Sequence, residues 1–113
     1  MKILHNPRCS KSRQTLKLLQ DQGIEPAVRL YLSDPPSPDE INAVLGQLGM
    51  EPRALMRRKE AAFKELGLKD DGMTTETLVN AMSEHPVLIE RPIVITGDRA
   101  ALGRPPENIL GLL

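Results

Sequence analysis

Lys2-Ile3-Leu4-His5-Asn6-Pro7-Arg8-Cys9-Ser10-Lys11-Ser12-Arg13 is the stretch whose reading decides the fold. Residues 2–5 form a short buried-strand candidate that ends at Asn6-Pro7. Ser10 or Ser12 can then cap a helix running to about Gln22, with Leu16, Leu18 and Leu19 as its apolar side and Gly23 as a stop. Beyond it, Val28, Leu30 and Leu32 alternate with Arg29 and Tyr31, the period-two pattern of a strand. The chain therefore opens β-α-β, and such a crossover joins parallel strands.

Ser37-Pro38-Asp39-Glu40 carries two agreeing helix-start features: Ser37 and Glu40 have capping-box spacing, and Pro38 stands at the first helical position. Ile41, Val44, Leu45 and Leu48 follow at helical spacing, up to Gly49. A helical middle is expected over 52–56, 59–66 and 75–83, with Ala54, Leu55, Leu66, Leu78, Val79 and Met82 as its apolar positions. The last third changes character. Ile93-Val94-Ile95 is β-branched, Gly97-Asp98 is a turn, and Ala100-Ala101-Leu102 is a weaker strand, which together make an antiparallel hairpin. Pro105-Pro106-Glu107 opens a final helix with Ile109, Leu110 and Leu113. The order β-α-β, helices, β-β-α predicts an α/β fold: a thioredoxin-like, mixed four-stranded sheet with a helical insertion at about 38–84. The expectation is a single domain over 1–113.

The 113 residues suit one domain, and 40% apolar residues supply one core. That core is aliphatic, because the chain has no Trp, one Phe and one Tyr. Fifteen basic residues balance fifteen acidic ones. This argues against nucleic-acid or membrane-surface binding, which normally shows a basic excess. One cysteine excludes an intramolecular disulfide and, without a secretory leader, points to a reducing cytoplasmic setting. No apolar run approaches a membrane span.

Chemistry concentrates at Cys9. Between a strand and a helix, free N–H groups and the helix dipole favour an anion. A Cys placed there has its pKa lowered from about 8.5 to roughly 3.5–7.5. Arg8, Lys11 and Arg13 add positive potential, and Ser10 and Ser12 offer hydroxyl donors. A free Cys is most often a buried small hydrophobe, but polar and cationic neighbours favour a nucleophile. His5 has two open readings: a strand-end side chain bonded to backbone, or a proton handler that adjusts the Cys9 thiol. His85, before Pro86, is read as a helix-end residue.

The ordered set His5-Asn6-Pro7-x-Cys9-x-x-Ser12-Arg13, Tyr31-Leu32-x-x-Pro35-Pro36, Arg53-Ala54-Leu55-Met56-Arg57 with Glu65-Leu66-Gly67-Leu68, His85-Pro86-x-Leu88-Ile89-x-Arg91-Pro92-Ile93-Val94 and Gly103-Arg104-Pro105-Pro106-Glu107 resembles the glutaredoxin-coupled, ArsC-type arsenate reductase family. The match covers essentially the whole chain. Ser10-Lys11 after the cysteine, and an end soon after the last helix, resemble its short arsenate reductase-like branch. The resemblance implies that Cys9 attacks arsenate or a similar oxyanion and that Arg57, Arg91 and Arg104 hold it. His5, Asn6, Ser12 and Pro92 would support the site, Pro92 following a cis peptide bond. It also implies no bound cofactor and no metal, with glutathione as co-substrate and glutaredoxin as partner of a monomeric enzyme.

Such an arrangement is chemically sensible. A thiolate and an anionic substrate repel unless cations compensate, and guanidinium groups present fixed bidentate donors to a tetrahedral oxyanion. Most arginines are solvated surface charges, and Arg58 and Arg99 are left so. Arg91 and Arg104 each border a strand edge beside a proline. Two other functions compete: a glutathione-dependent thiol reductase without arsenate activity, and a regulator like the Spx-type relatives. The latter typically carry Cys-x-x-Cys here, where this chain has Ser12. A low-molecular-weight phosphatase loop, Cys-x5-Arg, is excluded by Thr15.

Overall fold

The computed structural model describes residues Met1–Leu113 and divides into two compact units, Met1–Asp34 with Arg91–Leu113, and Pro35–Glu90. The first unit holds the sheet. Strand β1 (Lys2–Leu4) is followed by helix α1 (Ser10–Asp21) and strand β2 (Ala27–Arg29), and the chain returns for β3 (Ile93–Thr96) and β4 (Arg99–Leu102). The strand order is β2-β1-β3-β4. β1 pairs with β2 in parallel and with β3 antiparallel, and β3 and β4 form the expected hairpin. The sheet is thus mixed, four-stranded and thioredoxin-like, as the element order predicts. One buried cluster, Ile3, Leu19, Val94 and Ile109, joins β1, α1, β3 and the C-terminal segment.

Three expectations are corrected. The second strand stops at Arg29, because Leu30 begins a turn whose carbonyl accepts from the N–H groups of Ser33 and Asp34. Its alternation is also reversed: Val28 is 48% exposed, Leu30 and Leu32 are exposed too, and Tyr31 is the buried member. β2 is the sheet margin, so Val28, although in register with the fully buried Ile3, has no strand beyond it. The final helix is a 3₁₀ segment, Pro106–Leu112, rather than an α-helix.

The second unit is helical: α2 (Pro38–Leu48), α3 (Ala61–Glu65) and α4 (Thr75–Glu84), with 3₁₀ turns at Pro52–Leu55 and Pro86–Leu88. At the start of α2 both hydrogen bonds of the capping box are present: Glu40 N–H donates to Ser37 Oγ, and Ser37 N–H donates to the Glu40 carboxylate. Gly49 closes α2 at φ 65°, the left-handed conformation in which glycine carries no Cβ penalty. The third correction falls here: Leu66 is exposed and Leu68 is buried in its stead. After Gly67 turns with φ 64°, the Leu68 N–H donates to the Phe63 carbonyl. Arg53 donates to the carbonyls of Leu68 and Asp70, which ties this turn to the preceding 3₁₀ segment. No helix is long and apolar enough to cross a membrane.

Candidate active site

The loop from β1 to α1 is held by its own polar groups. Asn6 Oδ1 accepts from Arg8 N–H at 3.0 Å, the Asn6 carbonyl accepts from Cys9 N–H at 3.0 Å, and Arg13 donates to the Pro7 carbonyl at 2.9 Å. These bonds turn the chain so that Cys9 itself, and neither Ser10 nor Ser12, becomes the N-cap of α1, in extended conformation (φ −94°, ψ 123°). No side-chain oxygen caps α1, and the first-turn N–H groups of Lys11 and Ser12 face the Cys9 sulfur instead.

Cys9 is buried, 7% exposed, yet its thiol is held below its ordinary pKa. Burial is the largest single effect, and it works the other way. It is outweighed by the backbone N–H of Ser12, the charge of Arg91, the backbone N–H of Lys11 and a hydrogen bond from the Arg91 side chain. Ser12 is fully buried, and its Oγ accepts from Asn6 N–H at 3.0 Å and bonds His5 Nδ1 at 2.6 Å. His5 is therefore bonded to a side chain rather than to the backbone. Burial, and then the charge of Arg13, lower its pKa, so the imidazole is neutral at pH 7.

Arg91 comes from the segment leading into β3. Its Nε–H is buried and has no hydrogen-bond partner, while the guanidinium faces the Cys9 sulfur. Arg104, just after β4, is exposed and donates to the Arg91 carbonyl at 3.4 Å. Between them Gly103 N–H donates to the Pro92 carbonyl at 2.9 Å. The Arg91–Pro92 bond is cis, as the resemblance implies, and Arg104–Pro105 is cis as well. Antiparallel pairing of β1 with β3 puts the end of β1 beside the start of β3, so residues distant in sequence meet around one thiol.

With this geometry in place, comparison with known proteins is decisive. The ArsC family model matches residues 4–112. The chain belongs to the ArsC family. It is 47% identical to the arsenate reductase of Haemophilus influenzae, over 98% of this chain and 97% of that protein. It is 49% identical to the uncharacterized protein YfgD of Escherichia coli K12, over 100% of this chain and 96% of that protein. A solved arsenate reductase from Vibrio cholerae superposes with a TM-score of 0.97 at 52% identity, covering 99% of this chain and 96% of that one.

Of the residues that the ArsC resemblance singles out, Cys9, His5, Asn6, Ser12, Arg91, Pro92 and Arg104 all lie in the sheet-bearing unit. Arg57 belongs to the helical unit, where it pairs with Glu60 at 2.5 Å and its N–H donates to the Leu88 carbonyl at 2.7 Å. Arg99 is exposed, as expected, and donates to the Gly111 carbonyl at 2.6 Å. Arg58 is exposed. Sequence reasoning missed Thr15 and Gly103, which touch beneath the site. Glycine between a strand and Arg104 was the one available sign, since a glycine there suits close backbone approach. No group of three His, Cys, Asp or Glu side chains could hold a metal ion.

Proposed function

We infer that the chain is an arsenate reductase. The Cys9 thiolate attacks the arsenic of arsenate and displaces a protonated oxygen as water, while Arg91, Arg104 and Arg57 neutralise the oxyanion. Reduction of As(V) to As(III) takes two electrons, one from each of two thiol sulfurs. Cys9 is the chain's only thiol, so the second comes from outside. Glutathione supplies it, arsenite leaves, and glutaredoxin takes the glutathione from the resulting mixed disulfide and restores Cys9. The glutathione pool places this reaction in the cytoplasm. A monomer suffices, because one chain supplies the thiol and all the arginines.

One observation carries the reading: a buried Arg91 Nε–H without a partner, beside a thiol held below its ordinary pKa. A buried unmatched donor is costly, and next to a nucleophile an anionic substrate oxygen is the acceptor that fits it. The full-length relatives named arsenate reductase support the substrate.

The test is arsenate-dependent NADPH oxidation with glutathione, glutaredoxin and glutathione reductase. Cys9→Ser abolishes it. A charge-assisted contact is worth roughly 1.5–3 kcal/mol, so Arg91→Ala and Arg104→Ala each lower turnover at least about tenfold. Arg91→Lys does not restore it, because an ammonium lacks the planar fork. Arg58→Ala keeps wild-type turnover. If the Arg91, Arg104 and Arg58 variants behave alike, the oxyanion site is misassigned. If wild type turns over no arsenate while Cys9 stays reactive, the protein is instead a glutathione-dependent thiol reductase.

A further inference from the structure

Thr15 is fully buried in the second turn of α1. Its hydroxyl donates to the Lys11 carbonyl at 2.8 Å and, across to another element, to the Gly103 carbonyl at 3.4 Å. One proton serves both acceptors. The Lys11 bond is the ordinary back-bond of a helical threonine. The Gly103 bond is not local, and valine could fill the same space without any hydroxyl.

Gly103 is fitted to this contact from the other side. A Cβ there would fall against the Thr15 hydroxyl oxygen, 2.9 Å from Thr15 Cγ2 and 2.8 Å from Pro92 Cγ. Gly103 is thus wedged between Thr15 and Pro92, and its N–H is bonded to the Pro92 carbonyl. Pro92 follows Arg91, and Gly103 precedes Arg104. On the helix side, Lys11 shares Thr15's hydroxyl through its carbonyl and presents its own N–H to the Cys9 sulfur. A single side chain therefore touches both the turn that cradles the thiolate and the segment that carries the two arginines.

We propose that Thr15 is a positioning residue: its hydroxyl, shared between the Lys11 and Gly103 carbonyls, sets the separation between Cys9 and Arg91. The idea builds on the arginine site described above, but it concerns only the thiol and its cation. Arg91 is the charged side chain acting on the thiol, and His5 nearby is neutral.

The experiment is the rate of Cys9 alkylation by iodoacetamide as a function of pH. In Thr15→Val the packing stays and the hydroxyl goes, so Arg91 is held less closely. The midpoint then rises by about half a unit, a fraction of the one to three units that a close opposite charge supplies. Thr15→Ser restores the wild-type midpoint. In an Arg91→Ala background, Thr15→Val adds no further shift. A merely structural Thr15 lowers the melting temperature and leaves the midpoint unmoved, and that result overturns the proposal. So does an equal shift with and without Arg91. Should Thr15→Val not fold, Thr15→Ala is read by the same outcomes. The titration needs no arsenate, so failure of this proposal and failure of the arsenate reading are separate results.

Discussion

At the scale of single residues, Cys9 combines two fates that usually exclude each other. It is buried like an inert core cysteine, yet its thiol is held below the ordinary value by two backbone N–H groups and Arg91. This couples the thiol to folding. The folded chain favours the thiolate more than the unfolded chain does. The stabilisation is therefore absent below the folded midpoint, grows as pH rises through it, and is complete above the unfolded thiol's pKa. Urea denaturation of wild type and Cys9→Ser from mildly acid to mildly alkaline pH should show wild type gaining on the variant as pH rises. A difference that stays flat would mean the thiol is not depressed in solution. The lowered thiol was legible in part: the helix start that supplies the Ser12 and Lys11 N–H groups is local to Cys9, whereas the charge on it comes from the distant Arg91 and not from Arg8, Lys11 or Arg13. The contact from Thr15 to Gly103 was not legible, because it joins positions 88 apart and no local pattern marks it.

At the scale of elements, what could be read follows the same rule. The start of α2 was legible to the residue, since Ser37, Pro38 and Glu40 are all within one turn and both capping bonds form. Removing one of them tests its worth: Ser37→Ala should lower stability by about 1 kcal/mol, seen as a lower urea midpoint with an unchanged slope. β2 was misread for the opposite reason. Alternation from Val28 to Leu32 announces a strand but not where it sits in the sheet, and a strand at the margin leaves Val28 in solvent. The C-terminal segment began where Pro105-Pro106 predicts. Whether seven residues wind as α or 3₁₀ depends on packing that sequence periodicity does not encode.

At the scale of the whole molecule, the sheet-bearing unit is discontinuous in sequence, and its two pieces meet in one core. Ile109 of the last segment is fully buried with Ile3, Leu19 and Val94, which ties the end of the chain to its beginning. Ile109→Ala should cost about 2–5 kcal/mol, measured by chemical denaturation. A cost well under 1 kcal/mol would show that the C-terminal segment is only loosely applied. The order of elements made this closure foreseeable, since β-α-β and a later hairpin can share one sheet only by bringing the chain ends together. The closure also sets a timetable. A ribosome makes Cys9 before Arg91, with the whole helical unit between them in sequence. A growing chain therefore carries its cysteine before it has the guanidinium that helps lower the thiol's pKa. The thiol thus gains its complete set of pKa-lowering groups only once Arg91 has been made and has folded against it.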